Sequence, residues 1–104
     1  MYLIRRTYKT KPYEAVNAAK LIKKQADLYT SEGHRTECRV SYNSGTTPGE
    51  SNRVYLEWTA EIFDSPSREG NVIPKEIMEA GAKYRPLLDI DNGPSSWIEF
   101  FQIL

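Results

Sequence analysis

The stretch that decides the fold of this chain is residues 53–63, which read RVYLEWTAEIF. Its even positions form an apolar row: Val54, Leu56, Trp58, Ala60 and Ile62. Its odd positions after Arg53 mix carboxylates, aromatic rings and one threonine: Tyr55, Glu57, Thr59, Glu61 and Phe63. Because side chains alternate across a strand, this pattern predicts a β-strand with one face in a core. The other face is predicted to present chemistry or a partner surface.

Three further stretches are predicted to be strands. Residues 2–10 are rich in Tyr, Ile and Thr, residues 34–42 alternate between two rows, and residues 97–104 repeat the two-sided pattern. The polar residues 43–52 join the second and third strands, which predicts a hairpin with a long loop. A loop of this length is typical of a functional segment or of a disordered one.

Two stretches are predicted to be amphipathic helices. The first runs from residue 12 to about residue 29, with alanines on one side and lysines on the other, and Gly33 ends it. The second begins near residue 73 and ends or kinks at Pro86. Its small residues 80–82 predict a close approach to the sheet.

The element order is therefore β-α-β-β-α-β in one domain, residues 1–104. Short connections and right-handed crossovers fold this order into a ferredoxin-like α+β sheet of four antiparallel strands, order 4-1-3-2, with both helices on one face. We place Glu57 and Glu99 on the uncovered face, because a carboxylate beneath a helix is expensive to bury. Either row of strand one fits beside them, so either Arg5 or Arg6 is predicted to lie between the two carboxylates.

Composition argues against several function classes. The 14 Lys and Arg balance the 14 Asp and Glu, and carboxylates on strand three would repel phosphate, so nucleic-acid binding is not expected. One Cys and one His rule out an intrachain disulfide and provide no metal-binding pair, and no glycine loop precedes a helix to cradle a phosphate. No apolar run is long enough for a signal peptide or a membrane span. We expect a cytoplasmic, soluble protein without a metal or cofactor.

Six residues of the uncovered face form the candidate ligand-binding site: Tyr55, Glu57, Glu61, Trp97, Glu99 and Phe101. Such a large apolar patch usually marks a partner surface or a pocket. Two copies stacked face to face would bury the rings, which predicts an isologous homodimer. The glutamates have two interpretations: an enclosed carboxylate acting as a general acid or base, or ion pairs with arginines across strands or across the dimer.

Cys38 and His34 are the remaining candidates for chemistry. Cys38 lies on the apolar row of the second strand, which predicts a buried structural thiol. His34 is interpreted either as an exposed residue at the start of that strand or as a base at a pocket rim.

Two local motifs resemble those of the dimeric α/β-barrel superfamily of ferredoxin-like proteins. Residues 9–12, KTKP, are similar to the Val-Lys-Pro-Gly entry into the first helix, with Tyr13 in place of the usual glycine. Residues 61–66, EIFDSP, are similar to the Glu-x-Trp-x-Ser-Pro segment that ends strand three, with Phe63 in place of tryptophan. The resemblance is to its antibiotic-biosynthesis monooxygenase-like, EthD-like and NIPSNAP-like families.

This resemblance implies homodimers whose sheets form a barrel, with a ligand cleft beside the helices or inside the barrel. Members include cofactor-free oxygenases of polycyclic phenols, haem-degrading enzymes, lactone isomerases and proteins without a known activity. The haem-degrading branch carries an Asn, Trp and His constellation with the His on a helix. The single histidine here, His34, lies at the predicted start of strand two.

Two function classes stay open. The first is a non-catalytic dimeric module that binds a small hydrophobic or aromatic molecule or a partner. The second is a cofactor-independent enzyme, monooxygenase- or isomerase-like, acting on a hydrophobic or aromatic substrate. We favour the module, because these residues do not assemble into a catalytic set. An enclosed cavity beside an unpaired Glu57 or Glu99 would indicate the enzyme, whereas rings and ion pairs filling the barrel would indicate the module.

Overall fold

The computed structural model describes residues 1–62 and 72–104. Their elements are β1 (Tyr2–Lys9), α1 (Ala15–Ser31), β2 (Arg39–Asn43), β3 (Arg53–Ala60), α2 (Lys75–Tyr84) and β4 (Ser96–Gln102). A 3-10 helix, Arg85–Leu87, continues α2. The sheet has the order β2-β3-β1-β4 with every neighbouring pair antiparallel, so the predicted fold class is confirmed. Within the described ranges, no helix combines the length and apolar character needed to cross a bilayer.

The register of β1 against β3 separates a core face from an open face. Ile4 lies opposite Trp58 and Tyr8 opposite Val54, and all four side chains are buried. Residues directly opposite each other share a face, so the even rows of both strands point toward the helices. The odd row of β1 therefore lies on the open face, which places Arg5 at its centre.

Helix α1 provides the helical half of the core. Its buried side chains recur at three- and four-residue spacing: Ala15, Ala18, Ala19, Ile22, Ala26 and Tyr29. The alanines let the helix lie close to the sheet, where Ile22, Val54 and Leu56 are almost completely buried. Each such aliphatic side chain contributes roughly 1.5–3 kcal/mol on burial.

Helix α2 packs on α1, whereas the small residues 80–82 had predicted a close approach to the sheet. A Cβ atom at Gly81 would lie 2.7 Å from Nε2 of Gln25 in α1. That Nε2 donates to the carbonyl of Ile77 at 3.1 Å, and the hydroxyl of Tyr84 donates to Oε1 of Gln25 at 3.0 Å. Tyr84 also packs edge-to-face on Tyr8 of β1, so α2 lies on the same side of the sheet as α1.

Three predicted boundaries were wrong by three residues or more. β2 begins at Arg39 rather than at residue 34, because the Thr36 hydroxyl donates to the Thr59 carbonyl at 2.8 Å and takes the place of a backbone pair. α1 begins at Ala15 rather than at residue 12, because Tyr13 adopts a left-handed φ of 68°. β3 ends at Ala60, so the alternation does not reach Glu61, and Phe63 lies outside the described residues.

The loop after β2 is organised by the buried side chain of Asn43. Its Nδ2 donates to the carbonyls of Thr47 and Pro48, each at 3.1 Å, and its Oδ1 accepts from the Gly45 N–H at 2.8 Å. These bonds give the loop a defined shape, because three of its backbone groups are held by one side chain.

Strand β4 is an edge strand with apolar side chains exposed on both faces. Trp97 and Phe101 on the open face are 38% and 39% exposed, and Ile98 and Phe100 on the helix side are 43% and 40% exposed. Neither helix packs on β4 within the described part of the chain. This edge of the sheet therefore exposes apolar side chains on both faces.

Candidate functional site

The open sheet face carries a row of alternating charges. Arg39, Glu57, Arg5 and Glu99 lie opposite one another across β2, β3, β1 and β4. Arg5 donates from Nη2 to Oε2 of Glu57 at 3.1 Å and from Nε to the same oxygen at 3.3 Å. The ion pair predicted for Glu57 is therefore present. We name these four residues the charge row.

Rows of larger and smaller side chains flank the charge row. On one side Ser41, Tyr55, Thr7 and Trp97 lie opposite one another. On the other side Thr59, Leu3 and Phe101 lie opposite one another. The guanidinium carbon of Arg5 lies 5.4 Å from the centroid of the Phe101 ring, so an ion pair and a cation–π contact both hold this arginine.

Five of the six candidate site residues thus share one face, and Glu61 lies apart from them. Its carboxylate is 3.6 Å from the N-terminal ammonium group of Met1, and its side chain is 71% exposed. Because β3 ends at Ala60, Glu61 lies at the end of the sheet rather than in the odd row.

A depression of about 310 Å³ lies beside Glu57 on the open face. The rest of its wall is formed by Leu3, Trp58, Thr59, Arg39 and Glu37. The depression is open to solvent in the single chain and combines one apolar side with charges of both signs. A second sheet placed over this face would close it.

Arg35 is a residue that sequence alternation did not single out. Its guanidinium carbon lies 4.0 Å from the ring centroid of Tyr29 and 4.2 Å from that of Trp58. Its Nε is buried without a hydrogen-bond partner among the described residues, and burial lowers the pKa of the guanidinium. The available signal was Gly33, because the chain turns back after a glycine that ends a helix and so brings the next residues beside the last turn of that helix.

His34 lies on the wall of a cavity of about 350 Å³ together with Arg35, Trp58 and Glu61. Its ring packs edge-to-face on Tyr29 with centroids 6.1 Å apart, and its side chain is half-buried. The residue precedes β2, so it is not the exposed start of a strand. It lies at a pocket wall, and its role as a base stays a prediction.

The thiol of Cys38 is buried, as predicted. Burial raises its pKa, which keeps the sulfur protonated and weakly nucleophilic. The Thr30 hydroxyl lies 3.9 Å from Sγ and partly opposes this shift. Among residues 1–62 and 72–104, no group of three or more His, Cys, Asp or Glu side chains is placed to hold a metal ion.

Compared with known proteins, this chain matches no family model and no curated protein sequence. Its α+β architecture is compatible with a ferredoxin-like fold on element order and strand order alone. Function is therefore argued from the side chains of the two sheet faces.

Proposed function

We propose that this protein is a homodimeric module that binds a small molecule or a partner, and that two open sheet faces stack to form its α/β barrel. The observation that carries the proposal is the self-complementary pattern of the open face. Exposed aromatic side chains flank charges that alternate in sign across all four strands. A face of this kind is suited to pairing with a copy of itself.

The charge row matches its own copy under one particular two-fold rotation. When the axis runs along the strands, the row of the partner is reversed. Arg39 then faces the partner's Glu99, and Glu57 faces the partner's Arg5. Every position therefore meets the opposite charge. An axis along the row would place each charge against its own kind, which is unfavourable.

The same rotation also matches the sizes of the flanking side chains. Trp97 faces the partner's Ser41, and Tyr55 faces the partner's Thr7. A large ring meets a small residue at each of these positions, so the two faces interdigitate as the inner faces of stacked sheets do. Charge and shape thus favour the same axis.

A binding module agrees better with the site than a catalyst does. Two carboxylates, Glu57 and Glu37, line the depression, and the one within the sheet, Glu57, already accepts two hydrogen bonds from Arg5. A general acid or base needs a carboxylate available to exchange a proton with the substrate. In the barrel, the depression would be enclosed by ion pairs and rings, which suits ligand binding.

The backbone at Tyr13 supports the inferred membership of the dimeric α/β-barrel superfamily. This position corresponds to the glycine of the Val-Lys-Pro-Gly motif, and Tyr13 has a left-handed φ of 68°, the region that glycine favours. The side chain is 94% exposed, so it occupies that conformation without a clash against the core. The second motif, residues 61–66, extends mostly outside the described residues.

Charge reversal across the proposed interface tests the dimer. Sedimentation velocity at micromolar concentration should show a dimer for the native chain. Arg39→Glu and Glu99→Arg should each weaken dimerisation by at least about tenfold, or about 1.4 kcal/mol, because like charges then face each other. The double variant Arg39→Glu/Glu99→Arg should restore most of the affinity, since the exchanged charges are again opposite.

A control variant separates interface effects from net charge. Lys24→Glu changes an exposed residue of α1, on the covered side of the sheet, and should leave dimerisation unchanged. A native protein that sediments only as a monomer would refute the proposal. So would a double variant no better than the single ones.

A further inference from the structure

A second cavity, of about 320 Å³, lies on the helix side of the sheet. Its polar wall consists of Arg6 of β1, Arg85 of the 3-10 helix and the adjacent serines Ser95 and Ser96. Because Arg6 alternates with Arg5, this cavity and the charge row lie on opposite faces of the same strand.

The side-chain charges around this cavity are all positive. Among the described residues, no Asp or Glu lines it and neither Arg6 nor Arg85 forms an ion pair. Arg6 is half-buried without a carboxylate partner, which is unfavourable, and a bound anion would offset its desolvation.

A hydrogen bond within the wall leaves donors for a ligand. Nη2 of Arg6 donates to Oγ of Ser96 at 3.4 Å. The Ser96 oxygen is then an acceptor toward Arg6, and its own hydrogen remains to be donated into the cavity. A guanidinium presents its N–H groups as a planar fork, which fits the paired oxygens of a carboxylate or a phosphate.

Two aliphatic and two tyrosine side chains form the rest of the wall. Leu88 is buried, Ile90 is exposed, and the edge-to-face rings of Tyr8 and Tyr84 complete the cavity. Its volume is at the lower end of the range of about 300–1,000 Å³ that is usual for small-molecule sites. The ligand that fits is therefore a small aromatic or aliphatic group carrying one oxyanion.

We propose that this cavity binds a small organic oxyanion, a carboxylate or a phosphate monoester, through Arg6, Arg85 and Ser96. Leu88 and Ile90 contact its apolar part. The anion site assigns a ligand class to the proposed binding module. It rests on the proposed function only in assuming that the protein binds a small molecule. Because the cavity lies on the helix side and the barrel would form on the open face, binding does not require the barrel.

Isothermal titration with four probes tests the charge and the organic part separately. Benzoate or phenyl phosphate should bind, and benzyl alcohol, which has the same ring without the charge, should not. The anion that binds with the higher affinity identifies the preferred group as a carboxylate or a phosphate. Benzyl alcohol binding as tightly as benzoate, inorganic phosphate binding as tightly as phenyl phosphate, or no heat with any probe would each overturn the proposal.

Variants then locate the site. Arg85→Met changes an exposed side chain and Arg6→Met a half-buried one, and each should weaken anion binding by at least about tenfold. Lys24→Met removes the same charge from the exposed side of α1 and should leave the affinity within about twofold. Unchanged affinity in Arg85→Met and in a folded Arg6→Met would contradict the site.

Sedimentation of the same samples separates the two proposals. A monomer that binds benzoate would contradict the barrel and support the anion site. A dimer that binds neither anion would contradict the anion site and leave the barrel supported.

Discussion

Arg5 and Arg6 are neighbours in the sequence, yet they lie on opposite faces of β1. Arg5 joins the charge row through Glu57, and Arg6 donates to Ser96 on the helix side. Alternation alone predicts the opposition of the two arginines. It does not predict which of them faces outward, because each row of β1 also contains apolar side chains.

Tyr8 provides a prediction for the pH dependence of stability. Burial, with a smaller contribution from Tyr84, raises the pKa of its hydroxyl. An unfolded tyrosine ionises near pH ~10, so above that pH the unfolded state releases a proton that the folded state keeps. The free energy of unfolding should therefore fall as the pH rises above the pKa that Tyr8 has in the unfolded state.

Urea unfolding followed by tryptophan fluorescence checks this. Between about pH 9 and about pH 11, Tyr8→Phe should lose less stability than the native chain. Tyr13→Phe, which changes an exposed tyrosine, should keep the native slope. Equal slopes for native protein and Tyr8→Phe would show that this hydroxyl does not control alkaline stability.

At the scale of elements, side-chain contacts decide where α2 lies and where β2 begins. Gly81 lets α2 approach Gln25, whose amide joins the two helices through Ile77 and Tyr84. The Thr36 hydroxyl forms hydrogen bonds with the backbone of Thr59, where a longer β2 would form backbone hydrogen bonds with β3. Local periodicity carries no information about either contact, because each partner lies far away in the sequence.

Gly81 supplies the prediction for the helix pair. Gly81→Val places side-chain atoms where the Gln25 amide lies, and it should lower the free energy of unfolding by about 1–3 kcal/mol through overpacking. Ala82→Val, one residue along on the exposed side of α2, should change it by less than about 1 kcal/mol. Chemical denaturation of both variants measures the difference. Equal losses would show that the close approach of α2 to α1 does not matter for stability.

At the scale of the whole molecule, the sheet is wrapped on one side only. The helices cover the even rows of β1 and β3, while the charge row and both faces of β4 remain accessible in the single chain. In the proposed barrel, a second copy covers the open face. Folding and assembly would then be linked, because the dimer buries apolar surface that the monomer leaves in water.

This linkage predicts a thermal midpoint that depends on protein concentration. For a dimer of two such chains, a tenfold increase in concentration should raise Tm by about 3 °C, given the usual unfolding enthalpy per residue. Scanning calorimetry over two decades of concentration measures the slope. Glu99→Arg should flatten it, and a native Tm that stays constant would contradict a coupled dimer.

The sequence by itself determined the element order, the strand order and the two-sided character of the sheet. These follow from the spacing of apolar residues, which recur every two residues in strands and every three to four in helices. Each short segment shows its spacing independently of the rest of the chain. The alternating pattern also placed five site residues on one face, because only that choice of face keeps the carboxylates from being buried beneath the helices. These residues are Tyr55, Glu57, Trp97, Glu99 and Phe101.

Only the tertiary structure decided which arginine of β1 pairs with Glu57, where Arg35 lies and which cavities exist. The physical reason is that each of these depends on contacts between distant segments. Arg35 stacks between Tyr29 of α1 and Trp58 of β3. Arg6 shares a cavity with Arg85, which follows α2. Such contacts arise from packing, and packing is set by the whole chain.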